Sequence, residues 1–345
     1  MKVIECEGDF KEIGRKTGEE LREEIRQMIR VHLSGYSKRE EEWKKRLPVF
    51  IKTLKKYMPE VKEEMDGMAE GANLPEEEIY KINIPLYEDS LSLKQGCTNI
   101  GFKGGPQGNI LGKNNDMGNP VTDENAYPYV LRIVKPNQGI PYLTLTFCGM
   151  LSTLDTMNAE GVTTGHSSVG SIYQKSDYFP VIRLWGYKIL KESRNLKEYV
   201  NKFSSVPLRG KGYTFLAMDR DNMVAVEAPC PMVQVRHPNH ENGINCVNYY
   251  QLPYLYEVDN RSVIGKENCL KRREHLENVL EEGGVYDIER MKSELKYHST
   301  PGVCRHGGEH APYTTFSMIG VPQENKLLYL EGYPCENNYE EVVLS

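Results

Sequence analysis

The chain has 345 residues, 39% of them hydrophobic and 27% charged, with a net charge of −6. This is the composition of a soluble globular protein long enough for a large core. The acidic balance excludes a phosphate-gripping surface, so nucleic acid is not an expected partner. No stretch reaches the ~18 apolar residues of a membrane span, and no membrane partner is expected.

The first residues, MKVIECEGDFKEIG, lack the apolar core of a signal peptide, so the expected compartment is the cytoplasm. Phe10, Ile13, Leu21, Ile25 and Ile29 recur near helical spacing, and residues 9 to about 90 read as helical. The charged run from Ser37 reads as a solvated helix surface, interrupted at Pro48. Val61, Met65, Met68 and Ala69 share one helical face, and Gly71 is the expected stop of that helix. Leu74-Pro75 opens the next helix, with glutamates in its first turn.

At Gly96-Cys97-Thr98 the texture changes. Strands are expected at 109–114, 129–134, 141–146, 161–165, 213–218 and 223–227, separated by Gly, Pro and Asn turns. Asp219-Arg220-Asp221-Asn222 is a hairpin turn. Helices are expected at 177–192, 196–203, 268–282 and 288–296, and a last strand pair at 314–319 and 326–331. Strands in hairpins with helices in blocks indicate an α+β fold.

Eight cysteines stand singly, without a CxxC pair, and read mostly as buried thiols in a reducing compartment. Cys97 is different because a glycine precedes it. Gly96 has no Cβ, so the chain there tolerates strained geometry that brings the thiol to the Gly96 carbonyl. Attack gives a thioester, and its hydrolysis leaves Cys97 with a free α-amine beside its thiol. With an ordinary pKa near 7.7–8.0, that amine can serve as the base a thiol needs. The bland alternative is a buried cysteine on a strand after a turn.

The segment GCTNIGFKGGPQGNILGKNNDM resembles the start of the mature catalytic chain in two groups of cysteine-type N-terminal nucleophile (Ntn) hydrolases. These are the isopenicillin N acyltransferase-like (acyl-coenzyme A:6-aminopenicillanic acid acyltransferase) family and the choloylglycine hydrolases. The resemblance implies Cys97 as nucleophile and Asp116 as the acid that holds its α-amine and thiol. Lys113 stands where choloylglycine hydrolases carry an arginine, which moves the chain toward the acyltransferase-like group. GDFKEIGRKTGEEL and VKEEMDGMAEGANLPEEEIYKIN resemble that family's propeptide. NCVNYY implies Asn248 as an oxyanion-hole donor, with Tyr249 and Tyr250 beside it as substrate contacts. The helix start at Asn268 implies Arg272 as an inward-pointing residue, with Arg273 as the alternative register. Val303-Cys304-Arg305-His306, Thr314–Ser317 and Gly332–Cys335 also match the pattern. Relatives carry an asparagine-rich strand end after residues 158–162; here Ser167 falls at that place, and its hydroxyl, the His166 ring or a backbone N–H stays open as the replacement donor.

The implied fold is a four-layer αββα sandwich of two stacked antiparallel sheets, the Ntn hydrolase fold. Residues 1–96 are expected to form a mainly helical pro-segment of a zymogen, retained as a small subunit after autoproteolysis at Gly96-Cys97. Residues 97–345 are the expected catalytic chain, in one folding unit with it. The expected activity is amide hydrolysis or acyl transfer on a small N-acyl amide or acyl thioester, through a Cys97 acyl-enzyme. An acyl-coenzyme A-dependent N-acyltransferase stays open, as does an uncleaved, noncatalytic binding protein. A papain-like pair of Cys97 with His166 has no local motif behind it. No cofactor is expected, although a coenzyme A thioester is a conceivable substrate, and homo-oligomer formation stays open. Cys304-Arg305-His306 with His310 has the look of a metal fragment, but no second cluster has matching spacing and no metal is expected.

Overall fold

The computed structural model describes residues 1–33, 40–84, 96–152, 155–299, 302–308 and 311–344. Two sheets are built from these. The first runs in the spatial order β1 (Lys2–Gly8), β4 (Tyr129–Pro136), β5 (Tyr142–Phe147), β6 (Thr156–Asn158), β7 (Thr163–Ser168), β8 (Tyr213–Met218), β9 (Met223–Ala228), β10 (Gln234–Arg236). The second runs β11 (Gly243–Val247), β2 (Gly96–Gly105), β3 (Gly108–Met117), β12 (Tyr313–Val321), β13 (Lys326–Glu331), β14 (Glu340–Val343). All pairings are antiparallel except one: β1 lies parallel to β4, with Lys2 opposite Val130.

Three apolar layers hold these sheets. Leu111, Leu131, Leu145, Leu216, Ile244 and Phe316 are buried between the two sheets. Ile100, Phe102 and Ile319 on the outer face of the second sheet meet Leu276 and Leu280 of α8 (Val263–Glu281) and Met291 and Leu295 of α9 (Ile288–Leu295). Val130, Val134, Phe215 and Val226 on the outer face of the first meet the N-terminal helices and α6 (Ile182–Leu190) and α7 (Leu196–Phe203). The result is the helix–sheet–sheet–helix layering of an α+β sandwich. The central strands bury both faces, which is why strands such as β8 read as unbroken apolar runs rather than alternating ones.

The N-terminal part is bound to the rest by more than apolar contact. α1 (Phe10–Glu20) starts with a capping box, Asp9 accepting from the Glu12 N–H and Glu12 accepting from the Asp9 N–H. It packs backbone to backbone on α4 (Pro59–Ala72). An added Cβ at Gly14 would lie 2.0 Å from the Glu64 carbonyl oxygen, and one at Gly71 would lie 1.9 Å from that of Arg15. Glu64, buried in α4, takes Arg132 of β4 at 2.5 Å and the Tyr187 hydroxyl of α6 at 2.6 Å. Arg132 also donates to Thr17 of α1.

Several expectations needed revision. Residues 2–8 form strand β1, which the helical reading of the N-terminus did not include. Gly71 does not stop α4; Asn73, in the left-handed region at φ 54°, does, and Gly71 is the contact point with α1. Pro48 lies inside α3 (Glu40–Tyr57) instead of interrupting it, since Trp43 and Leu47 before it and Phe50 and Leu54 after it pack on the core. α8 begins at Val263, not Asn268, since the Ser262 hydroxyl caps it through the Gly265 N–H. α6 begins at Ile182, because Asp177 is drawn into ion pairs with Arg46 and Arg209. Among the described residues, no helix is long and apolar enough to cross a membrane.

Candidate active site

β2 and β3 form a hairpin with Cys97 opposite Asn115 and Gly96 opposite Asp116. Side chains alternate across a strand, so these two pairs face opposite ways. Cys97, Asn99, Lys113 and Asn115 face the space between the sheets. Thr98, Asn114 and Asp116 face the helices.

On the inner side, the Cys97 thiol lies 3.5 Å from Asn115 Oδ1. Asn115 is itself held by Thr315 at 3.1 Å and by Tyr129 at 3.4 Å. A cavity of about 430 Å³ opens beside Cys97, walled by Tyr127, Tyr129, Phe147 and Phe316, with Asp155 and His166 among its polar members. Burial pushes the Cys97 thiol up, and the Lys113 charge offsets only part of this. The thiol is therefore protonated at rest and needs a base.

The main chain of Cys97 is gripped as closely as its side chain. Its N–H donates to Asn248 Oδ1 at 2.6 Å. Its carbonyl accepts from Arg272 Nη1 at 2.7 Å. Arg272, which is 1% exposed, also reaches the Thr98 hydroxyl at 2.8 Å and Asn248 Oδ1 at 3.1 Å. β11 ends beside β2, which is how Asn248 arrives next to Cys97. Asn248 Nδ2 donates to the Ser168 carbonyl at 2.7 Å. An amide nitrogen has two hydrogens, and the second meets no partner among the described residues.

On the helix side, Asp116 Oδ1 accepts from Thr314 at 2.8 Å, while Oδ2 lies 3.9 Å from Arg305 Nη1 and makes no hydrogen bond. Burial pushes the Asp116 carboxyl up, against the lowering pull of Arg305 and Arg272. Asp116 crowds the residue before Cys97. A Cβ at Gly96 would sit 2.7 Å from Arg305 Nη1 and 3.1 Å from Asp116 Oδ2. The Asp116 charge pushes the Cys97 thiol up, while its backbone pulls the thiol down.

The structure thus brings Gly96, Cys97, Asp116, Asn248 and Arg272 together. Arg273 does not compete with Arg272; it pairs with Glu277 on the helix surface. The other five named residues divide. His166 lines the cavity, with its Nδ1 2.7 Å from Asp155 Oδ2. Burial holds the ring below its ordinary value, against the Asp155 charge. Burial alone would raise Asp155, but His166 and Lys113 outweigh it and keep that carboxyl below its ordinary value. Lys113 is fully buried, donating to the His166 carbonyl and lying 3.4 Å from Asp155. Ser167 does not reach the cavity, since strand alternation turns its hydroxyl to Asn99 at 2.8 Å. Tyr249 and Tyr250 do not line it either. Tyr249 lies against Tyr256 and the helix-side core, and Tyr250 is buried with Val169, Leu255 and Val258. The residues that sequence reading missed are Asn115, Asp155, Tyr129, Arg305 and Thr314. The hairpin register would have found Asn115; the others come from distant strands and loops. No imidazole among the described residues hydrogen-bonds the Cys97 thiol, and His310 lies outside those residues.

The family model described as acyl-coenzyme A:6-aminopenicillanic acid acyl-transferase matches residues 104–313, more than half of the chain, starting just after Cys97. Solved structures with a similar layout include the N-acylethanolamine-hydrolyzing acid amidase ortholog of Caenorhabditis elegans, at 16% identity and TM-score 0.45, over 66% of this chain and 93% of that one. Penicillin V acylase from Agrobacterium tumefaciens gives 13% identity and TM-score 0.47, over 68% and 83%. A mutant conjugated bile acid hydrolase from Clostridium perfringens gives 12% and 0.46, over 72% and 92%. No curated protein matches the sequence.

Proposed function

Since the chain belongs to the acyl-coenzyme A:6-aminopenicillanic acid acyl-transferase family, we propose that it is a self-processing Ntn hydrolase that cuts itself at Gly96-Cys97 and then cleaves small N-acyl amides or acyl thioesters. The observation that carries this reading is the grip on the main chain of Cys97. Asn248 and Arg272 hold its nitrogen and carbonyl. A cysteine acting through its thiol alone has no use for that cradle, whereas one whose own nitrogen becomes a catalytic group needs it.

Processing begins when Cys97 Sγ attacks the Gly96 carbonyl carbon. The bond from that carbon to the Cys97 nitrogen breaks, and the nitrogen takes up the thiol proton. Water then hydrolyses the thioester, giving a Gly96 carboxylate and restoring the thiol. Gly96 has no side chain to press on Arg305 and Asp116, which crowd that position. The new α-amine stays beside Asn248 Oδ1.

In turnover the α-amine takes the proton from Sγ as the sulfur attacks the acyl carbon. The free N–H of Asn248 stabilises the oxyanion, and the amine returns the proton to the leaving group. The ring-lined cavity accepts the acyl part. Water then resolves the thioester; an amine in its place gives acyl transfer. Hydrolysis is the favoured outcome because water needs no second binding site. Residues 1–96 remain attached as a small subunit through Glu64, Arg132 and the shared core.

The test is the denatured mass of the purified protein beside Cys97→Ala. Two fragments meeting at Gly96/Cys97 in the parent and one intact chain in the variant support the reading, and N-acyl amides and acyl thioesters are then assayed. An intact parent that shows no amidase activity would overturn it.

A further inference from the structure

We infer that His298, Cys304, His306 and Cys335 bind a zinc ion. Their four donor atoms lie within 4.8 Å of one another. Cys304 Sγ is 3.6 Å from Cys335 Sγ and 3.7 Å from His306 Nε2, and His306 Nε2 is 3.2 Å from Cys335 Sγ. Around a tetrahedral zinc, with Zn–S near 2.3 Å and Zn–N near 2.0–2.1 Å, ligand atoms stand about 3.3–3.8 Å apart. Two thiolates with two imidazoles is the donor set of a closed structural zinc site, and it balances the charge of the ion.

The surroundings fit the same role. His306 presents Nε2 to the sulfurs, and its Nδ1 faces the Glu336 carboxylate at 3.7 Å, where an outer carboxylate orients a metal-bound ring. The ring is stacked on Tyr333 at 4.0 Å between centroids, which fixes its plane. The histidine–cysteine–histidine part comes from the turn after α9, and Cys335 comes from the turn after β13. Spacing along the chain hides the fourth ligand, which is why Cys304-Arg305-His306 looked incomplete in sequence. On binding, the two thiols release their protons to solvent and the imidazoles bind neutral. The ion would fasten these two segments beside Arg305, the residue facing Asp116 and Gly96.

The competing arrangement of the same atoms is a Cys304–Cys335 disulfide, whose sulfurs would have to close to about 2.05 Å. Full-length protein is purified under reducing conditions, and its metal content and denatured mass are measured. One zinc per chain is expected in the parent and in Cys148→Ala, and less than a tenth of that in Cys335→Ser and His306→Ala. Should those variants fail to fold, the parent still decides. Chelation should expose Cys304 and Cys335 to alkylation, and cobalt(II) added afterwards should restore protection and give thiolate-to-cobalt absorption. A parent that holds no metal and takes up no cobalt would overturn the inference. So would a mass lower by the two hydrogens of a disulfide, or metal retained in folded Cys335→Ser. Each readout is independent of whether the chain cuts itself.

Discussion

Glu64→Ala isolates the polar bond between the N-terminal helices and the sheet. Glu64 and Arg132 are both buried, and Arg132 holds its charge in place. Removing the carboxylate leaves a guanidinium in the core with the Thr17 and Tyr187 hydroxyls as its remaining partners. Breaking such a pair from one side typically costs about 3–5 kcal/mol. An unfolding entropy of about 2.1 cal/mol/K per residue gives about 0.7 kcal/mol per degree for this length. The midpoint should therefore fall by about 4–7 °C, read by calorimetry in a Cys97→Ala background so that processing does not interfere. Glu64→Leu with Arg132→Met removes both charges and should recover most of the loss. A fall below about 1 °C would refute the reasoning. A double variant as unstable as the single one would also refute it, by assigning the cost to packing.

Asn248→Ala removes both the acceptor for the Cys97 nitrogen and the proposed oxyanion donor, and should lower kcat by about 10²–10³, measured on chains already processed. Gly96→Ala should slow processing modestly, because its Cβ would fall 2.7 Å from Arg305 Nη1 and displace that guanidinium; mass spectrometry over time follows the cut. Asp116 has its folded pKa raised above its unfolded value, so its contribution to stability is present at low pH and is lost as pH rises. Asp116→Asn in the Cys97→Ala background should consequently gain thermal stability relative to Cys97→Ala as the buffer moves from acid to neutral. A constant difference would refute this. Gly71→Ala should weaken the α1–α4 contact and lower the melting point, since 1.9 Å leaves no room for a methyl group.

Cys97 and the strand pair that carries it were legible because local signals coincide there. A glycine before Cys97, a glycine turn and a second polar strand together write a hairpin. The apolar strands β4, β5, β8 and β9 and helices α7 and α9 were equally plain, because their periodicity is set by burial within each segment. What sequence did not show is contact made by the fold. Arg305 and Thr314 reach Asp116 from nearly two hundred residues away in the chain. Strand parity decided Ser167 and the bend after β11 decided Tyr249: being near the site in sequence placed both candidates close to it, yet both side chains point elsewhere. Gly71 shows the opposite case, where a residue type chosen for a stop serves instead to let two helices touch.

The parallel pairing of β1 with β4 has a consequence for synthesis and expression. β1 caps the outer edge of the eight-stranded sheet, and the helices that follow it cover Val130 and Val134. A gene beginning at Cys97 would make a chain whose β4 edge carries open N–H and C=O groups next to bare apolar surface, a template for joining other copies. Such a truncated product should collect in inclusion bodies, and supplying residues 1–96 as a separate chain should return part of it to the supernatant. The N-terminal segment would then act as a built-in solubility partner, made first by the ribosome and in place before its strand neighbour emerges.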